Sequence, residues 1–143
     1  NEYANLIQSR AMEMGLFNWP IPTEKVAADQ ASRLRQVSNC SGHDAEYRPA
    51  HDFSAKDDQR SRKVGQTKAF IYERMAYGNA IEAKDCSCGS LKADWSAAVS
   101  AFDVLTKGVD NFLLYTPATI RMRDQIKKDY DRMCDITILL ELE

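Results

Sequence analysis

Asp85-Cys86-Ser87-Cys88-Gly89-Ser90 carries two of the chain's four cysteines and lies between its two longest helix-like segments. The other two cysteines, Cys40 and Cys134, lie far away on either side. The turn is therefore expected to be where distant parts of the chain are tied together. On its N-terminal side, residues 55–84 carry the longest helical pattern. Val64, Thr67, Ile71, Met75 and Gly78 make one row, and Phe70, Tyr77 and Ile81 widen it. Lys56 to Lys63 are charged and expected to be solvated. On its C-terminal side, Ser90 or Asp94 can cap a helix ending near Gly108. The broad face of Leu91, Trp95, Ala98, Val99, Phe102, Leu105 and Val109 makes this the expected central core helix. Asn111 to Tyr115 is an apolar connection that should pack inward. Thr116-Pro117 then starts a last helix, with Thr as N-cap and Pro at the first helical position. Met122, Ile126, Tyr130, Met133 and Thr137 follow one face of it.

Residues 2–15 read as a shorter helix. Tyr3, Leu6, Ile7, Ala11 and Met14 recur at helical spacing, and Gly15 suits a helix stop. Pro20 and Pro22 then force an extended path, along which Phe17 and Trp19 are expected to fold back onto the core. Thr23 caps a further helix to about Ser38, with the thin stripe Val26, Gln30, Leu34 and Val37. Asn39 to Ser54 reads as a long connection holding Gly42, Pro49, His43 and His51. No alternating strand pattern occurs. The expected fold is one all-α domain over residues 1–143: four main helices plus the short N-terminal one.

The cysteines constrain how these helices connect. Short connections make successive helices antiparallel, so the end of the last helix returns to the Cys86-Cys88 turn and brings Cys134 with it. A helix of about 30 residues spans about 45 Å, and some 15 extended residues at roughly 3.3 Å each just cover that length. Residues 41–54 are thus expected to cross over along the long helix, so that Cys40 also meets the turn. A Cys86–Cys88 bond would close a tight, strained ring. Two pairings remain open: Cys40–Cys86 with Cys88–Cys134, or Cys40–Cys88 with Cys86–Cys134.

The chain's 143 residues carry 19 basic and 21 acidic side chains. That balance argues against a nucleic-acid binder acting through bulk charge. The longest apolar run, Ile136 to Leu142, is far short of the roughly 18 residues a membrane span needs. The first residue is Asn1, with no charged start and apolar stretch behind it, so the chain reads as a processed or trimmed product. An even cysteine set points to an oxidising compartment, periplasmic or extracellular.

Cys40, His43, Cys86 and Cys88 offer an alternative, a tetrahedral zinc set, but the Cys-x-Cys spacing is tight and Cys134 is left unused. His43-Asp44 and His51-Asp52 form a repeated His-Asp pair in a polar loop, able in principle to hold a metal or orient a base. No nucleophile elbow, zinc-protease helix, phosphate loop or dinucleotide fingerprint occurs. Glu73, Glu82, Asp94 and Asp103 are helix carboxylates without an evident partner, and burial beside Phe70 and Tyr77 would raise the pKa of Glu73. Arg121, Arg123, Lys127 and Lys128 cluster on the last helix, largely offset by Asp124, Asp129 and Asp131. Met12, Met14, Met75, Met122 and Met133 take core-like positions.

These features point to an exported helical protein that binds another protein, without catalysis, cofactor or resident metal. An accessory subunit of an envelope or secretion machine fits. So does an immunity or inhibitor protein. A carrier for a small apolar ligand, with Phe70, Tyr77, Trp95, Phe102 and Phe112 lining a cavity, is the third reading. The expected partner surface is the loop 41–54, with His43, Tyr47 and His51, together with the aromatic turn at Phe17 and Trp19.

Overall fold

The computed structural model describes residues 2–21, 59–86 and 90–134. These residues fold into four helices: α1 (Glu2–Glu13), α2 (Gln59–Ala83), α3 (Trp95–Thr106) and α4 (Tyr115–Cys134). A short 3-10 turn, Phe112–Leu114, leads into α4. No strand occurs among the described residues. The expected helix over 23–38 and the crossover at 41–54 lie outside them.

Local chemistry sets the helix ends. At the end of α1, Leu16 N–H bonds to Ala11 O at 2.9 Å and Gly15 N–H to Met12 O at 3.1 Å, with Gly15 at φ +78°. This is a Schellman closure, and it drives buried Leu16 back onto the helix it has just left. The end of α2 closes the same way, through Asp85 N–H to Ala80 O and Lys84 N–H to Ile81 O. The left-handed position there is held by Lys84, at φ +52°, where a side chain is strained. Lys84→Gly is therefore expected to stabilise the fold by up to about 1 kcal/mol; a fall in melting temperature would contradict this.

Of the two candidate caps for α3, Asp94 is used. Its carboxylate accepts from Ser96 N–H at 3.1 Å, whereas Ser90 donates its hydroxyl to Asp85 O at 2.8 Å. The expected start of the last helix needs correcting. Asn111 caps the 3-10 turn, accepting from Leu113 N–H at 3.1 Å, and that turn runs into α4 at Tyr115. Thr116 and Pro117 therefore sit inside the first turn of α4, where the missing proline N–H has no intrahelical acceptor to lose. Of the connection expected to pack inward, Tyr115 is buried but Leu113 is 49% exposed.

α2 and α4 run parallel. Glu73 meets Arg123, Tyr77 meets Tyr130 and Cys86 meets Cys134, a steady advance along both helices. α3 runs the opposite way: Lys68 lies over Phe102, and Asn79 Nδ2 donates to Lys92 O at 3.0 Å. This is the antiparallel succession expected from the short connections. The central helix is α2, not α3. It buries residues from Gly65 to Ile81 on several sides, against only Ala98, Ala101, Phe102 and Leu105 on α3. Much of this burial falls on small residues (Gly65, Ala69, Ala76, Gly78, Ala80). A hydrophobicity count undervalues them, yet they let neighbouring helices come close.

α1 packs across α3 and α4 and caps α3 from outside. The Arg10 guanidinium donates to the carbonyls of Leu105 at 3.2 Å and Lys107 at 2.6 Å. A cation there satisfies orphan carbonyls at the negative end of the helix. Arg121 donates to Gln8 Oε1 at 2.9 Å and ties α1 to α4. The buried stripe of α1 is narrower than expected, only Ile7 and Ala11. Tyr3 and Leu6 are exposed, as are Met12 and Met14. Met12 lies on the far side of α1, and Met14 lies past its last turn. Met122 and Met133 are buried, as their spacing implies.

The described apolar residues form two clusters. The larger holds Ile71, Tyr72, Phe102, Leu105, Tyr115 and Met122 with residues of α1. The smaller lies at the C-terminal ends of α2 and α4 and contains Ile81, Cys86, Ile126, Tyr130, Met133 and Cys134.

Candidate functional site

The most organised polar region among the described residues lies where the turn after α1 crosses α2 and α4. Its centre is Arg74, an arginine on an otherwise apolar row of α2 and only 7% exposed. Its Nε donates to Leu16 O at 2.5 Å, and its Nη2 donates to Gly15 O at 3.3 Å and Asn18 O at 3.2 Å. The guanidinium also lies 5.2 Å from the centre of the Trp19 ring. Burial lowers the Arg74 pKa, opposed by the charge of Glu82. An arginine starts so far above neutrality that it stays charged. A buried cation is thus satisfied mainly by backbone carbonyls of one turn. It fixes the path of residues 15–19.

Gly78 makes room for this arrangement. A Cβ at Gly78 would fall 2.5 Å from Arg74 Nη1. A methyl group there must displace the guanidinium, which has few other places to go. Gly78→Ala is expected to cost about 1–2 kcal/mol despite the better helix propensity of alanine. In an Arg74→Met background the same change should cost much less, and additive costs in the double variant would contradict the assignment.

Trp19 is half-buried against the smaller cluster. Its Nε1–H donates to Asp129 Oδ2 at 2.8 Å, and Asp129 also pairs with Arg132 at 3.6 Å. Phe17 is half-buried against the larger cluster. Both aromatics fold back on the core as expected, and the turn carrying them is held by Arg74. His43, Tyr47 and His51 lie outside the described residues, so the structure does not place them relative to this turn. Cys40 and Cys88 lie outside as well.

Cys86 and Cys134 form a disulfide with both residues fully buried. The bond belongs to the second of the two pairings left open by the sequence. It also takes Cys86 out of the zinc set, since a bonded sulfur offers no thiolate to a metal. Among the described residues no group of His, Cys, Asp or Glu is placed to hold a metal ion.

Beside the disulfide lies Tyr130, 1% exposed, with its ring 5.0 Å from that of Tyr77. Its hydroxyl has no hydrogen-bond partner among the described residues. Burial first, and then the charges of Tyr77, Asp131 and Asp85, push its pKa far above the ordinary phenol range. In the unfolded chain the phenol ionises near roughly pH 10. Its contribution to stability is therefore constant below that pH and is lost as the pH rises above it. Tyr130→Phe removes both the desolvated hydroxyl and its ionisation. It is expected to stabilise the fold by about 1 kcal/mol at neutral pH and to flatten the decline in stability above about pH 10. Loss of stability in the variant would mean that the hydroxyl has a partner after all.

The cations expected to cluster on the last helix are mostly partnered. Arg123 bonds Glu73 at 2.8 Å and Asp124 at 2.7 Å, and it lies over the Phe70 ring at 4.8 Å. Lys127 pairs with Asp131 at 3.1 Å. Burial pulls the Arg123 pKa down, but the charge and hydrogen bond of Glu73, together with Asp124, more than reverse this. Glu73 is thus an ion-paired carboxylate, not a lone buried one. Its partner stands fifty positions further along the chain, where periodicity within one helix cannot find it.

The aromatic residues named for a ligand cavity divide between different contacts. Trp95 packs on Tyr72, Phe102 on Tyr115 and Tyr77 on Tyr130, while Phe70 lies under Arg123 and Phe112 near Arg60. Reasoning from sequence missed Arg74. The only signal was one arginine between Ile71 and Gly78 on a row otherwise free of charge.

No helix among the described residues is long and apolar enough to cross a membrane. Comparison with protein-family models, with curated proteins and with solved structures found no match to the chain.

Proposed function

We propose that this chain is an exported, disulfide-stapled helical domain that acts by binding another protein and performs no catalysis of its own. The observation that carries this reading is the buried Cys86–Cys134 bridge. Such bonds persist outside the cell or in the periplasm and are rare where thiols are kept reduced. The balanced charge of the chain and the absence of a catalytic motif from its sequence support binding to a protein over binding to nucleic acid. An accessory subunit of an envelope or secretion machine is the form we favour, with an immunity or inhibitor protein second. The small-ligand carrier has less support, because its five aromatic residues belong to separate packing contacts.

We place the partner surface at the turn carrying Phe17 and Trp19, together with His43, Tyr47 and His51. Trp19 also holds the fold through Asp129 and Arg74, so its replacement would confound binding with stability. The informative variant is Tyr47→Ala with His51→Ala. Tagged wild-type protein should capture a partner from an envelope extract of the source cell. The double variant should lose at least about 1.4 kcal/mol of affinity, a tenfold change, at an unchanged melting temperature. Equal capture by both proteins overturns the surface.

The fold proposed around this surface has a second disulfide and a fifth helix. With Cys86 and Cys134 bonded to each other, Cys40 and Cys88 are the pair that remains. A Cys40–Cys88 bond requires residues 41–54 to return along α2 as a crossover. Peptide mapping without reduction should yield a fragment linking Cys40 to Cys88. Two free thiols at those positions would remove both the second bridge and the crossover.

A further inference from the structure

We draw no further inference here: the strongest candidate, the exposed apolar surface of α1 and the turn after it (Leu6, Met12, Met14 and Ile21), carries nothing because nothing in the structure shows what covers it.

Discussion

Replacing Cys86 and Cys134 together by alanine is expected to lower the unfolding free energy by about 4 kcal/mol. The two residues stand 48 positions apart, and the bond denies the unfolded chain the freedom of that loop. In the folded chain it joins the C-terminal ends of the parallel helices α2 and α4, inside the smaller apolar cluster. Both sulfurs are fully buried, so their removal also leaves a small void, which adds to the loss. Urea unfolding of wild type and double variant measures the difference as a shift in midpoint. The m-value should rise as well, because the uncrosslinked chain exposes more surface when unfolded. A shift worth less than about 1 kcal/mol would mean that the bridge adds little to packing that already holds the helix ends together. Because the bond is buried, it should also resist a mild thiol reductant in the native protein and become reducible only on unfolding.

Arg74→Met is the second large effect, an expected loss of about 3 kcal/mol. The substitution leaves an apolar side chain of similar length but no donors. Leu16 O and Asn18 O then lose their bonds from Arg74, while Gly15 O keeps one from Asn18 N–H. Trp19 loses the cation beneath its ring. Hydrogen bonds from a charged donor are worth more than neutral ones, and a buried carbonyl left without a donor bears its full desolvation cost. Arg74→Lys should rescue little, since one ammonium cannot reproduce the fork that bonds three carbonyls from two different nitrogens. Thermal unfolding gives the size of the loss. Trp19 fluorescence in a Trp95→Phe background gives its cause: the emission should shift to the red as the turn comes away from α2. A variant that loses stability with Trp19 emission unchanged would show that Arg74 supports the helix and not the turn.

The two effects differ in how far the residues announce them. The turn at Cys86 is conspicuous, and the short connections around α3 bring the end of α4 back to it, so Cys134 could be expected there. Arg74 carries no comparable signal. Its acceptors are backbone carbonyls, which look alike at every position, and the turn that supplies them lies more than fifty residues earlier. The Glu73–Arg123 pair was hidden for a similar reason, because its register depends on how two helices separated by a third lie side by side.

The placement of the core shows the same limit. The wide apolar face of α3 suggested the centre of the bundle, whereas α2 holds it, because small residues on several of its faces are covered by more than one neighbour. The spacing of Met12 and Met14 suggests core positions, yet α1 offers only a narrow strip to α3 and α4 and both are exposed. Of the residues proposed for a partner surface, Phe17 and Trp19 lie within the described structure and His43, Tyr47 and His51 lie outside it.

What the sequence determined by itself was local and periodic. It set the all-α class, the approximate spans of α1, α2, α3 and α4, the antiparallel succession and the meeting of Cys134 with the turn after α2. These follow from side-chain spacing, caps and loop length, all of which act within a few residues. Only the tertiary structure decided which cysteine Cys134 joins, which helix is central, and that a buried Arg74 holds the turn after α1. Those outcomes depend on which surfaces meet when distant helices pack, and helical spacing along one segment says nothing about the face that will cover it.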